Sequence, residues 1–194
     1  GDSNAARFQT PCTMKYQTPK TLLVACLAAL LVVPSVRAAE ATEQAVLDAV
    51  QAWCDALLKI SKTHQEGGDA KAVAEEVLTR AYNYDKGKTL FKPTLAFGDD
   101  TFRLTKEGAL AYFVGGNPNF PDDSGFALKG WTEAKFTTAG TICDGNIGIY
   151  MGNVSLKNNK GEWTTVDKTF VFDFADDGNP RIIVHKSALP FSPE

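Results

Sequence analysis

The hydrophobic period of this chain changes once, near Phe126, and that change constrains the fold more than any other feature. Before it, apolar residues recur every three or four positions; after it, they alternate. The first spacing lines one stripe of a helix, and the second lines one face of a strand. Val46, Ala49, Val50, Trp53, Leu57 and Ile60 form such a stripe, capped by Thr42, running to about Thr63 and stopped by Gly67-Gly68. Asp69 caps a second helix with Val73, Ala74, Val77, Leu78 and Ala81 facing inward. Leu90 to Phe97 reads as a short extended piece interrupted by Pro93. Thr105 caps a third, short helix that ends at Gly115-Gly116, and Asn117 to Gly125 is a turn-rich loop. Strand candidates follow at 127–137, 139–143, 146–157, 162–174 and 180–187. Asp144-Gly145, Asn158-Asn159-Lys160-Gly161 and Asp176-Asp177-Gly178 are the turns between them, and Phe170, Phe172 and Phe174 share a face. Helices first and an antiparallel sheet afterwards predict an α+β domain with a single core.

The first 38 residues read as a targeting segment. Met14 offers a start, which sets residues 1–13 upstream of it; Lys15 and Lys20 give a positive region, and Leu22 to Val33 is small and apolar throughout. Val36-Arg37-Ala38 supplies a small-residue cleavage site before Ala39. That is the pattern of a secretory signal peptide, and the apolar run is short for a membrane span. Leu23-Val24-Ala25-Cys26 resembles a lipoprotein box, but the apolar run continues past Cys26 where a lipoprotein turns polar. The expectation is a single domain at 39–194 in the periplasm or secreted, with no membrane contact after cleavage. That domain keeps 16 of the 20 Lys and Arg and 22 of the 23 Asp and Glu, a net charge near −6. Such a surface argues against nucleic acid as a partner. Cys54 and Cys143 remain in it. In an exported protein they can pair, or they can stand as two unpaired core cysteines; both readings stay open.

Only two histidines occur, His64 and His185. Catalytic zinc takes three protein ligands, mostly His and Cys, and Cys54, Cys143 and His185 sit on separate elements without ligand spacing. No metal and no cofactor are therefore expected, and a clustered-cysteine deaminase is excluded. Strand parity puts Arg181, Ile183, His185 and Ser187 on one face, with Ile182, Val184 and Lys186 on the other. His185 and Ser187 then either project into a pocket or belong to a half-solvated strand end. Tyr112, near the end of the third helix, needs a partner if buried, and Thr94 follows a proline. Either can equally be a core or turn hydroxyl. Asp99-Asp100 and Asp122-Asp123 read as solvated turns.

Four stretches carry a resemblance. Phe91-Lys92-Pro93-Thr94, Phe102-Arg103-Leu104-Thr105, Ala111-Tyr112-Phe113-Val114-Gly115-Gly116 and the terminal His185-Lys186-Ser187-Ala188-Leu189-Pro190-Phe191 resemble, in order and spacing, the iota-class carbonic anhydrases. The likeness runs from about Val50 to Ser192. It implies a SnoaL-like or nuclear-transport-factor-2-like cone, related to the association domain of calmodulin-dependent kinase II, with helices packed on a strongly curved antiparallel sheet. It also implies reversible hydration of carbon dioxide to bicarbonate, in several members without a metal. Carried across by motif, the site is Thr94, Tyr112 and Ser187. The chain departs from the family where His-His-Ser-Ser is common and His185-Lys186-Ser187-Ala188 stands here.

Carbon dioxide is linear and weakly polar, so its pocket should be apolar with few donors. Phe91, Phe113 and Ile183 are the expected lining. Thr94, Tyr112 and Ser187 are the hydroxyls expected to hold bicarbonate oxygens and orient a water. Tyr112 is expected to relay the proton, with His185 assisting because its ordinary pKa suits the task. A homodimer is the expected assembly. Two other readings fit the same elements. One is a non-catalytic periplasmic ligand-binding or oligomeric scaffold domain. The other is a SnoaL-like isomerase for a larger substrate, with His185 as its base.

Overall fold

The Thr42 hydroxyl accepts from the Ala45 backbone N–H at 3.2 Å and so starts α1 (Glu43–Gln65). A computed structural model of the chain describes residues 39–174 and 179–193. The expected signal peptide and the Asp176-Asp177-Gly178 turn lie outside the described residues. Asp69 caps α2 (Ala70–Ala81) by accepting from Ala72 at 2.9 Å, and Thr105 caps α3 (Lys106–Val114) by accepting from Gly108 at 3.1 Å. All six residues of the α1 stripe are buried, joined by Cys54 and Ser61. On α2 only Ala70, Ala74 and Leu78 are fully buried, while Val73, Val77 and Ala81 pack at the core margin.

Among the described residues, five strands form one sheet: β1 (Leu90–Lys92), β2 (Trp131–Asp144), β3 (Ile147–Asn158), β4 (Trp163–Phe174) and β5 (Pro180–Ala188). Their order is β1-β5-β4-β3-β2, with β1 parallel to β5 and every other pair antiparallel. This is the α+β class that the period change predicts. Helix α1 lies across β2 and β3, and Gly148 makes the approach possible. A Cβ there would run into the Val46 side chain and reach within 2.9 Å of the Phe174 ring.

Two expectations shift for the same physical reason, a β-bulge. The alternation of β2 slips phase near residue 138, which suggests two strands; the structure has one strand with an irregularity between Thr138 and Gly140. Its start is later than 127, because Phe126–Leu128 form a single 3-10 turn before Trp131. On β5, Val184 pairs Val171 while Ile182 pairs Phe172, so Ile183 is the extra residue of a bulge. The bulge reverses parity. Ile182 enters the core at 1% exposure, and Ile183 is left half-buried, not on the inner face that it was expected to share with His185 and Ser187. Cys54 and Cys143 are both free, the first buried and the second exposed.

Candidate active site

Where β1 runs beside β5, Phe91 pairs with His185 and Lys92 with Lys186. This parallel pairing brings two distant motifs together. The Lys92 ammonium donates to the Ser187 carbonyl at 3.2 Å and to the Thr94 carbonyl at 3.4 Å, tying both segments at one point. There the Thr94 and Ser187 hydroxyls meet at 2.6 Å, with Ser187 fully buried and Thr94 9% exposed.

Tyr112 reaches the same place from α3. Its ring stacks on Phe126 at 5.5 Å and meets Phe91 edge-on at 5.8 Å, while Phe113 stacks on Phe91 at 5.8 Å. The Tyr112 hydroxyl is buried and makes no well-formed hydrogen bond among the described residues. Burial raises its pKa well above the ordinary phenol value. The nearby Thr94 hydroxyl, and the backbone at Leu95 and Thr94, oppose that rise without fully meeting it. The group is therefore a neutral phenol lying close to the Thr94 hydroxyl. Phe91, Thr94, Tyr112, Phe113 and Ser187 are thus brought together as the motifs suggest, and Ile183 is not among them.

The loop after α3 roofs this region. Gly115 ends the helix at φ +65°, and a Cβ there would sit 3.0 Å from the Asp123 carbonyl oxygen, so the loop packs directly on the helix end. Asp123 is held against Arg103, whose Nη2 donates to both carboxylate oxygens at 2.9 Å. The guanidinium lies over Phe120 at 4.7 Å, and its Nε and Nη1 have no partner. Burial raises the Asp123 pKa and outweighs the pull of Arg103. Asp123 is therefore a structural partner, not the solvated turn residue that the sequence suggests. The Arg103 backbone N–H donates to the Phe91 carbonyl at 2.8 Å, which ties the segment carrying the ion pair to the strand that carries the site. A cleft of about 40 Å³ opens beside Tyr112 and Arg103, flanked by Leu95, Phe120 and Phe126. Such a volume holds about three waters.

His185 does lie on the face of Ser187, yet neither side chain is half-solvated: both are buried. The imidazole is sandwiched between Phe91 at 4.4 Å and Phe170 at 4.5 Å. Its nitrogens are occupied, Nδ1 by the Tyr82 hydroxyl at 2.9 Å and Nε2 by Lys168 Nζ at 2.8 Å. Burial, then Lys168 whenever its amine is protonated, pushes the His185 pKa well below the usual histidine value. The expected role of His185 as an assisting base fails on both counts, since its nitrogens engage other partners and its charged form is disfavoured. The sequence carried a sign of Lys168. Val166, Lys168, Phe170, Phe172 and Phe174 share one parity, and all five are buried. Extending the Phe170–Phe174 face by one step places a lysine in the core. Nothing in the sequence marks Tyr82, and Arg103 stands in a motif without a role assigned to it, because the burial of both follows from long-range packing.

Among the described residues, no group of three or more His, Cys, Asp or Glu side chains is arranged to hold a metal. A curated relative from Nostoc sp. (strain PCC 7120 / SAG 25.82 / UTEX 2576), described as a metal-independent carbonic anhydrase, is 49% identical over 152 residues, 77% of this chain and 74% of the relative. A solved structure, the iota-carbonic anhydrase from a cyanobacterium complexed with bicarbonate, is 47% identical. It superposes with a TM-score of 0.78 over 79% of this chain and 95% of that one. The family pattern described as metal-independent carbonic anhydrase matches residues 44–189, and with these relatives it shows that the chain belongs to the metal-independent carbonic anhydrase family.

Proposed function

We propose that the chain hydrates carbon dioxide reversibly to bicarbonate without a metal, at the hydroxyl cluster of Thr94, Tyr112 and Ser187, which the cleft beside Tyr112 adjoins. The observation that carries the site is the contact of the Thr94 and Ser187 hydroxyls at 2.6 Å, beside a buried Tyr112 hydroxyl that makes no well-formed hydrogen bond among the described residues. A buried donor without an acceptor carries a cost of about 1–3 kcal/mol, which a bound oxygen atom relieves. Bicarbonate supplies three such oxygens. The paired hydroxyls orient the attacking water, and Tyr112 donates to the oxygen on which charge develops. Phe91 and Phe113 supply the apolar wall. The relative solved with bicarbonate supports this ligand class. The small cleft disfavours the alternative of an isomerase for a ring-sized substrate.

The test is stopped-flow hydration with a strong chelator present. Activity should persist with the chelator and fall by about 10²–10³ in Ser187→Ala, the usual loss for one preorganised donor. Undiminished hydration in Ser187→Ala and Tyr112→Phe would refute the site.

Two further readings belong with this one. The apolar run from Leu22 and the Val36-Arg37-Ala38 site support export to the periplasm or medium, with 39–194 as the mature domain. Amino-terminal sequencing of the protein made in a secreting host should begin at Ala39. A homodimer is supported by Ile142 and Met151, which stand more than half exposed beside Ile149 on adjoining strands. Sedimentation of wild type and Ile142→Glu should give dimer and monomer.

A further inference from the structure

Trp53, Tyr82, His185 and Lys168 form a buried hydrogen-bond chain whose proton positions follow from counting donors. Trp53 Nε1 can only donate, and it donates to the Tyr82 oxygen at 3.0 Å. The Tyr82 hydroxyl hydrogen then needs an acceptor, and His185 Nδ1, at 2.9 Å, is its one acceptor among the described residues. Nδ1 therefore carries no proton, and a neutral imidazole must carry it on Nε2. Nε2–H faces Lys168 Nζ at 2.8 Å, so Nζ accepts and is an amine, not an ammonium. The opposite arrangement, with the proton on Nδ1, would strand the Tyr82 hydrogen in a fully buried position.

The surroundings agree. Lys168 is 3% exposed, and Nζ sits 4.1 Å from the Trp53 ring centroid. The titratable groups that bear on it are Cys54 from α1 and His185 from β5, and no carboxylate is among them. Burial holds the Cys54 thiol up at about 11, so it offers no negative charge near neutral pH. Burial likewise brings the Lys168 pKa down to about 7. Across the strands, Lys168 pairs directly with Ser187, and paired residues project from the same face.

We infer that Lys168, held as an uncharged amine, takes the proton released by hydration, acting through its cross-strand neighbour Ser187. This rests on the carbonic anhydrase reading above and supplies the base that the hydroxyl pocket lacks. Water oxygen bonds to the carbon of carbon dioxide, one C=O π pair moves onto oxygen, and a water O–H bond breaks. Nζ gives up the hydrogen bond that it accepts from His185 Nε2–H, and the proton ends on the freed lone pair, leaving bicarbonate and an ammonium. Once charged, Lys168 no longer accepts from His185, and the lost bond favours passing the proton on to solvent. A base poised near neutral pH is the efficient choice for such a step.

The test uses the full chain with Lys168→Met, which keeps the length and removes the amine. Wild-type kcat for hydration should rise with pH through an inflection near 7. Lys168→Met should lose the inflection and about 10²–10⁴ in kcat, with KM for carbon dioxide and the Kd for labelled bicarbonate within about twofold of wild type. An unchanged kcat and inflection in Lys168→Met, with wild-type hydration intact and lost in Ser187→Ala, would overturn this inference and leave the site standing. Wild type without hydration would overturn the reading beneath it, and this one with it. Side-chain ¹⁵N NMR of the wild-type protein gives a check that needs no variant. A Lys168 amine at pH 8 is expected, and an ammonium persisting to pH 9 would overturn the inference.

Discussion

The Thr94 and Ser187 hydroxyls touch at 2.6 Å across 93 residues of chain, and the parallel pairing of β1 with β5 brings them together. In a buried pair of this kind one hydroxyl donates and the other accepts. Removing one partner leaves an orphan, whereas removing both removes the need.

The pair should therefore behave non-additively. Thr94→Val or Ser187→Ala alone should cost about 1–3 kcal/mol of stability, and the double variant clearly less than their sum. Urea unfolding of the four proteins closes the cycle, and strictly additive losses would contradict the pairing. Hydration should drop about 10²-fold or more in either single variant and little further in the double.

Tyr112 should separate function from stability. Its hydroxyl is buried without a well-formed hydrogen bond among the described residues, so Tyr112→Phe should leave the thermal midpoint unchanged or raise it slightly. The same change should cost about 10²–10³ in kcat/KM, because the lost donor acts only when an oxyanion is present. A variant both less stable and fully active would contradict the assignment.

Lys168 should leave a signature in stability against pH. Its folded pKa, about 7, lies below the ordinary 10.5, so between these values the unfolded chain binds the extra proton. Stability from this group is complete above 10.5 and is lost as pH falls toward 7. The slope approaches ~1.4 kcal/mol per pH unit. Lys168→Met should thus be more stable than wild type at pH 7, with the difference closing toward pH 10. Denaturant midpoints at four pH values measure it, and parallel curves would count against a buried amine.

The Arg103–Asp123 pair carries the roof of the site. Asp123→Ala leaves a 3% exposed guanidinium without its carboxylate and should cost about 3–5 kcal/mol. Because the backbone of Arg103 is bonded to that of Phe91, a shift of the unpaired arginine should carry to the site, and bicarbonate affinity should fall with stability. Calorimetric unfolding alongside bicarbonate binding tests the link, and a stable Asp123→Ala protein would show that the ion pair is dispensable.

Local signals carried most of the fold. Thr42, Asp69 and Thr105 cap the helices that they announce, and the change of period at Phe126 marks the switch to a sheet. Parity failed where backbone geometry broke it, at the bulge that pushes Ile183 out of the face and brings Ile182 in. The hydroxyl triad was legible because Thr94, Tyr112 and Ser187 sit inside compact motifs. Tyr82 is ordinary in sequence; Lys168 and Arg103 carry only a parity and a motif, and all three acquire their character from burial, which the assembled core creates.

The most direct measurement is the exchange of ¹⁸O between labelled carbon dioxide and water at chemical equilibrium, with a chelator present and without added metal. It reads the interconversion of carbon dioxide and bicarbonate apart from buffer proton transfer. Rapid depletion of label by wild type, returning to the uncatalysed rate in Ser187→Ala and Tyr112→Phe, is the predicted result. Depletion that needs added zinc, or that persists in both variants, would contradict a metal-free hydroxyl site.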